Sequence, residues 1–105
     1  MDGEAAGFLA GVRKCFSGLR DPRVQASCEH TLFDILSITI LAVTSGADDW
    51  TDLETFGKKR REWLATFLEL RGGIPSHDTF RRVLGLLDRK QFAACLLQWT
   101  QALHE

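Results

Sequence analysis

Net charge is almost absent from this chain. Its 105 residues carry 13 basic and 14 acidic side chains, which leaves a formal charge of -1 when the histidines are neutral. A globally basic nucleic-acid-binding protein is thereby excluded, so any contact with a polyanion has to come from locally clustered charges. A chain of this length has room for one core, and we expect a single domain over residues 1–105.

Cysteine is also scarce. Cys15, Cys28 and Cys95 form an odd, widely spaced set, which argues against a disulfide framework and fits small apolar residues in a reducing cytoplasm. Together with the histidines they lack the paired short spacings of zinc sites. We therefore expect neither a metal site nor a cofactor.

Long hydrophobic runs and strand-like alternation are missing. The longest apolar run, residues 32–43, is too short to cross a bilayer and contains Asp34, so it predicts a buried core helix. Its β-branched residues leave a strand as the alternative. The acidic start of the chain has no signal-peptide pattern, and we expect a cytoplasmic protein without a membrane segment.

Apolar residues recur at helical spacing in five segments. These predict an all-α, compact bundle of about five helices, over residues 5–19, 32–45, 51–70, 76–87 and 89–103. Residues 24–30 are ambiguous between a loop and a short helix. Four residues are expected to cap helix starts, and they are Thr31, Thr51 in a Thr-Asp-Leu-Glu capping box, Ser76 and Asp88.

Residues 72–83 organise the rest of the chain. Two glycines and Pro75 predict a turn, after which Ser76 caps a helix whose outward face carries Asp78, Arg81 and Arg82. A capped helix that points arginines away from its core is the layout of a helix-turn-helix, in which the second helix enters the major groove of DNA. The alternative is a solvated face with an Asp78–Arg82 pair.

A second basic cluster lies in the third predicted helix. It consists of Lys58, Lys59, Arg60 and Arg61. Four consecutive cations spread around a helix axis, so at most two or three could follow one path of phosphates, and a soluble helix surface remains the alternative. Most aromatic residues fall at core positions, but Trp50 at a helix start and Trp63 beside the basic run stay open as stacking positions.

Catalytic constellations are not evident. The acidic residues are largely accounted for as caps and helix-surface residues, and no nucleophile with a base is apparent. Asp34 is the exception on an apolar helix, where it either completes the cap at Thr31 or pairs with His30 or an arginine. A lone carboxylate cannot hold the two metal ions of phosphoryl-transfer chemistry, so we expect no enzymatic activity.

Several short segments occur in a recognisable order. They are Asp21-Pro22-Arg23, His30-Thr31-Leu32-Phe33-Asp34-Ile35-Leu36, Gly46-Ala47-Asp48-Asp49-Trp50, Phe56-Gly57-Lys58, Trp63-Leu64 and Gly73-Ile74-Pro75-Ser76-His77-Asp78-Thr79-Phe80. In this order the chain resembles the N-terminal domain associated with DDE transposases of the H-repeat type, found in bacterial insertion sequences. The resemblance covers about residues 8–100. Arg89 departs from it, because the family often has proline at the start of its last helix.

The resemblance implies a helical domain placed ahead of an RNase-H-like nuclease that uses acidic residues and magnesium. That nuclease is absent here, so the chain is expected to be catalytically silent alone, as an excised domain or a truncated gene product. Our first hypothesis is an accessory domain that binds insertion-sequence ends, with nucleoid association when bound. The candidate DNA-binding residues are Lys58, Lys59, Arg60, Arg61, His77, Arg81, Arg82 and Arg89.

The alternative hypothesis is a protein-interaction module. Such a module would dock on the transposase catalytic domain or pair two chains as a homo-oligomer, without direct DNA contact. The near-zero charge and the aromatic content support it. It would leave an apolar patch exposed, along Trp99 and Leu103.

Overall fold

The computed structural model describes residues 3–16, 29–87 and 89–103, and in these ranges the chain forms α-helices and no strand. The helices are α1 (Gly3–Phe16), α2 (Leu32–Thr44), α3 (Trp50–Lys59), α4 (Arg61–Leu64), α5 (His77–Leu86) and α6 (Arg89–Leu103). The prediction of an all-α protein is confirmed. The helices fall into two units, one with α1 and α6 and the other with α2 to α5 up to Gly85.

In the first unit, α1 packs against α6 through aromatic and thiol side chains. The ring centroids of Phe16 and Phe92 are 5.8 Å apart. Cys15 and Cys95 are free thiols and both are buried, and burial raises the pKa of Cys95 above its ordinary value. These two cysteines behave as the small apolar residues that we expected, while Cys28 lies outside the described residues.

In the second unit, α2 is the central helix. Thr31 caps it as predicted, because its hydroxyl oxygen accepts a hydrogen bond from the Asp34 amide at 3.0 Å. The Asp34 carboxylate is 3 % exposed and accepts a hydrogen bond from the Leu70 amide at 2.9 Å. Leu70 has a φ of 47°, a conformation that costs a branched side chain about 1 kcal/mol. The buried carboxylate thus anchors a strained turn, a role that the sequence did not indicate.

The cap predicted for the third helix is wrong by two residues. Asp49, not Thr51, is the N-cap, and its carboxylate accepts from the Asp52 amide at 2.9 Å. The Asp52 carboxylate in turn accepts from the Asp48 amide at 2.9 Å. An aspartate in extended conformation caps as well as threonine does, and this earlier cap releases Glu54 for another partner.

The third helix was also predicted to continue to residue 70, which is wrong. It ends at Lys59, and Arg60 leaves helical geometry with φ of -106° and ψ of 15°. Leu53, Gly57 and Leu64 are buried, and in one straight helix the stripe through them would pass over Arg60 and Arg61. A bend at Arg60 keeps these guanidinium groups in water, where unpaired charges belong.

The helix of the predicted DNA-reading segment forms, but the motif around it is not confirmed. Ser76 caps α5 as predicted, with its hydroxyl oxygen 3.2 Å from the Thr79 amide. However, residues 65–76 separate α4 from α5, and this connection is longer than the three- or four-residue turn of a helix-turn-helix.

Two contacts join α3 to the start of α5. Glu54 accepts hydrogen bonds from the His77 amide at 2.6 Å and lies 3.0 Å from the His77 ring. One turn further along α3, Gly57 is buried, and a Cβ placed there would lie 2.6 Å from Cγ2 of Ile74. The lack of a side chain at Gly57 therefore allows Ile74, just before α5, to lie close to α3.

Some expectations fall outside the described residues. They concern the end of the first helix at residues 17–19, most of the ambiguous segment at residues 24–28, and the cap at Asp88. Among the described helices, none has the length and apolar character needed to span a membrane.

We predict that Gly57→Ala destabilises the protein, although alanine is the better helix former by about 1 kcal/mol. The new methyl group would meet the β-branched, stiff Ile74 side chain, and overpacking of this kind costs about 1–3 kcal/mol. Gly85→Ala in α5, where nothing lies within 4 Å of the added Cβ, is the matched control and should stabilise by up to about 1 kcal/mol. Urea unfolding followed by circular dichroism measures both. Equal stabilisation by the two alanines would contradict the close contact.

We predict a pH-dependent contribution of Glu54 to stability. Hydrogen bonds from Lys58, then from the His77 amide and ring, lower the pKa of Glu54 from 4.5 to about 2. Because the folded pKa lies below the unfolded one, this stabilisation is complete above 4.5 and is lost as pH falls through about 2. Glu54→Gln should therefore lower the urea midpoint near neutral pH. The difference from the unaltered protein should disappear as the pH approaches about 2. Glu62→Gln, at an exposed position of α4, is the matched control and should change the urea midpoint near neutral pH less than Glu54→Gln does.

Candidate nucleic-acid interface

The basic run occupies the junction of α3 and α4. Lys58, Lys59, Arg60 and Arg61 are all exposed. Lys58 pairs with Glu54 one turn earlier, with 2.6 Å between Nζ and Oε2. The other three cations form no ion pair with any residue in the described part of the chain. Lys58 and Lys59 belong to α3, Arg60 lies at the bend, and Arg61 belongs to α4. The four side chains therefore do not project from a single straight helix.

Glu54 links Lys58 of the basic run to His77 at the start of α5. One carboxylate oxygen accepts from Lys58, and the other accepts from the amide of His77 and lies beside its ring. The Glu54 side chain is 19 % exposed, whereas that of Lys58 is 64 % and that of His77 is 58 % exposed. The acid is therefore mostly shielded from solvent, whereas the two basic side chains that it binds face solvent. The sequence placed Glu54 in a local capping box and missed this role.

Arg81 and Arg82 lie on the solvent face of α5, as predicted. Their side chains are 59 % and 64 % exposed. Both pair with Asp78, Arg81 through Nη2 at 2.6 Å and Arg82 through Nε at 3.4 Å. The hydrogen bond from Arg81 lowers the pKa of Asp78 below its ordinary value.

These pairs do not remove the arginines from use. An exposed ion pair is weak because water and salt screen it, so a phosphate can compete with the Asp78 carboxylate at low cost. One carboxylate also serves two guanidinium groups, which leaves a net positive charge on this turn of α5. The solvated face with an Asp78–Arg82 pair is present, and it is compatible with an anion-binding surface.

Arg89 belongs to a different unit of the chain from the other candidates. It opens α6, in the other unit of the chain, and its side chain is not among those described. Seven of the eight predicted residues therefore belong to the second unit, and two of them, Lys58 and His77, share the Glu54 carboxylate. The expectation for Arg89 stays a prediction.

Two open surface depressions border the basic run. One, of about 450 Å³, is lined by residues 58–63. The other, of about 550 Å³, is lined by Glu29, Arg61, Arg71, Gly72 and Gly73. Arg61 borders both, and Arg71 adds a cation that sequence reasoning did not select. The sequence feature that could have identified Arg71 is its position directly before Gly72 and Gly73, where a turn was predicted.

Gly72 shapes the second depression. A Cβ at this position would lie 3.0 Å from atoms of both Glu29 and His30, so a side chain there would have to displace this segment by a few tenths of an ångström. Neighbouring Gly73 has a φ of 81°. The turn at residues 70–73 is thus held by the Asp34–Leu70 hydrogen bond on one side and by close packing on the other.

Metal ligands do not cluster in this surface. Across residues 3–16, 29–87 and 89–103, no group of three or more histidine, cysteine or carboxylate side chains is placed to hold a metal ion. The chemistry available to the described surface is charge and hydrogen bonding, which suits binding of an anion.

Comparison with known proteins places the chain among relatives of transposases. It is 45 % identical over 96 residues to "Uncharacterized protein in dhlA 3'region" of Xanthobacter autotrophicus, covering 90 % of this chain and 32 % of that protein. It is 39 % identical over 96 residues to "H repeat-associated putative transposase YhhI" of Escherichia coli, covering 91 % and 25 %. A third relative, "Inactive transposase YbfQ" of Escherichia coli, is 47 % identical over 55 residues, covering 52 % and 66 %.

The chain thus spans only about a quarter to a third of the length of the first two relatives. No solved structure matches it. The family model described as DDE_Tnp_1-associated matches residues 13–100. Since this match covers most of the sequence, the chain belongs to the DDE_Tnp_1-associated family.

Proposed function

We propose that this domain is the accessory part of an insertion-sequence transposase and binds the DNA of element ends, chiefly through phosphates. The observation that supports this most is the shared carboxylate of Glu54, which holds Lys58 and His77 on one exposed surface. Phosphate contacts position a protein on a duplex and need cations in water, not buried ones. The described surface meets this requirement.

The charge distribution supports binding through few contacts. The whole chain is near neutral, but residues 58–61 contribute four positive charges and Arg81 and Arg82 two more, against Glu54, Glu62 and Asp78. A local excess of positive charge of this size suits a small number of phosphate contacts. Each contact releases condensed counterions, so affinity should fall steeply with salt.

We further propose that the domain does not itself cut DNA. The described residues contain no cluster of metal-ligating side chains, and one relative is named as an inactive transposase. In longer relatives the remaining two thirds or more of the chain would supply the catalytic domain, which becomes the second partner of this one. Binding to chromosomal DNA would place the protein in the bacterial cytoplasm, at the nucleoid.

We predict that neutralising the basic run weakens DNA binding. Arg60→Gln with Arg61→Gln should weaken binding to a terminal inverted-repeat duplex about tenfold or more near 0.1 M salt, and should lower the slope of log affinity against log salt by about two. Arg81→Gln with Arg82→Gln should act in the same direction. Fluorescence anisotropy with a labelled duplex, against a scrambled duplex of equal length, measures both quantities.

The control removes the same charge from the other unit. Arg13→Gln with Lys14→Gln changes two exposed basic residues of α1 and should leave affinity within about twofold. Failure of the unaltered chain to bind DNA at low salt would contradict the proposed function. An equal loss in the control pair would contradict the assigned surface.

A second candidate function rests on exposed apolar side chains. Leu97 on α6 and Leu86 are each 60 % exposed, and such residues suit a surface that docks another protein. Of the patch expected along Trp99 and Leu103, Trp99 is half-buried, and a Cβ at Gly11 would lie 3.5 Å from its ring. The side chain of Leu103 is not among those described.

We predict that a docking role would show as self-association of the isolated chain. Size-exclusion chromatography with light scattering should then give a dimer or larger species, and Leu97→Gln should shift it toward monomer because an exposed apolar contact is removed. A monomer at every concentration, with DNA binding intact, favours the first candidate.

A further inference from the structure

We propose that Trp63 is a stacking platform for an unpaired nucleobase, so that the surface binds single-stranded DNA ends or extruded bases in addition to duplex phosphates. This inference rests on the proposed DNA-binding function, because Arg60 and Arg61 would contact the phosphates on either side of the stacked base. The inference adds unpaired nucleobases to the ligands of this surface, and contacts to phosphates alone would not bind them.

The first observation is that Trp63 is exposed but held in place. Trp63 is 39 % exposed, and its ring meets that of Phe67, one turn along the chain, at a centroid distance of 4.9 Å and an angle of 78°. Edge-to-face contacts of this kind are attractive beyond the area they bury. A ring whose orientation is already set loses little freedom when a base stacks on it.

The second observation is the charge around the ring. The depression of about 450 Å³ lined by residues 58–63 includes Trp63 itself, four cations and one acid, Glu62. Arg60 precedes Trp63 by three residues, and the Leu64 amide bonds to the Arg60 carbonyl at 2.9 Å. Arg60 is thus the residue that precedes α4, and it lines the same depression as Trp63.

Trp50 shows what distinguishes this position. It is 40 % exposed, nearly the same as Trp63, but Asp48, Asp49 and Asp52 lie beside it in sequence. A polyanion is repelled there and attracted at Trp63. Sites for single strands combine a basic groove with an exposed aromatic ring, and of the two exposed tryptophans only Trp63 has both.

The experiment compares the two tryptophans on two ligands. The ligands are a labelled oligothymidine of about 15 nucleotides and a fully paired duplex hairpin, both titrated by anisotropy into the full chain. Trp63→Ala should weaken oligothymidine binding about tenfold while changing duplex binding less than about twofold. Trp63→Phe should retain most of the affinity, and Trp50→Ala should leave both ligands unaffected.

A spectroscopic measurement tests stacking directly and does not depend on the folding of Trp63→Ala. In the variant Trp50→Phe with Trp99→Phe, Trp63 is the remaining tryptophan, so its emission alone is seen. Oligothymidine should quench this emission, and inorganic polyphosphate, which has charge but no bases, should leave it unchanged.

Three results would overturn the inference. One is an equal effect of Trp63→Ala and Trp50→Ala on oligothymidine affinity. Another is equal quenching by polyphosphate and oligothymidine. The third is a change of oligomeric state in Trp63→Ala, which would make the ring part of a protein contact. Duplex binding that persists in any of these cases leaves the proposed function standing, whereas loss of all DNA binding by the unaltered chain removes both.

Discussion

The carboxylate of Glu54 is the interaction on which the candidate surface depends. It lies on α3 and receives hydrogen bonds from Lys58 of the same helix and from the backbone of His77, at the start of α5. An anion at a helix N-terminus is favoured by the helix dipole, so this acid stabilises α5 while it orients two basic groups. Gly57, one turn away, allows Ile74 to approach closely enough for these bonds to form.

Acidic residues therefore support a basic surface in this protein. Glu54 binds Lys58 and the His77 ring, and Asp78 binds two arginines, so each acid orients two basic residues of the surface. The chain remains near neutral as a whole, and a near-neutral chain avoids indiscriminate attraction to any polyanion. Exposed pairs of this kind are weak, and that weakness leaves the cations available to phosphate.

Local pattern predicted much of the second unit. The apolar run of α2, its Thr31 cap and the Ser76 cap of α5 were all predicted, because hydroxyl caps and helical periodicity act within one or two turns. The third helix was predicted less well. Asp49, and not Thr51, caps this helix. The helix also ends at Arg60, where a straight continuation would bury charged side chains.

The sequence by itself determined the all-α class, the family, and which residues carry positive charge near one another along the chain. Tertiary structure alone decided which of those residues share a surface. Glu54 and His77 are 23 residues apart, and Asp34 and Leu70 are 36 apart. One of these bonds joins α3 to the first residue of α5, and the other joins α2 to the connection between α4 and α5. The periodicity and capping patterns that assign helices extend over only a few residues, so they carry no information about such distant pairs.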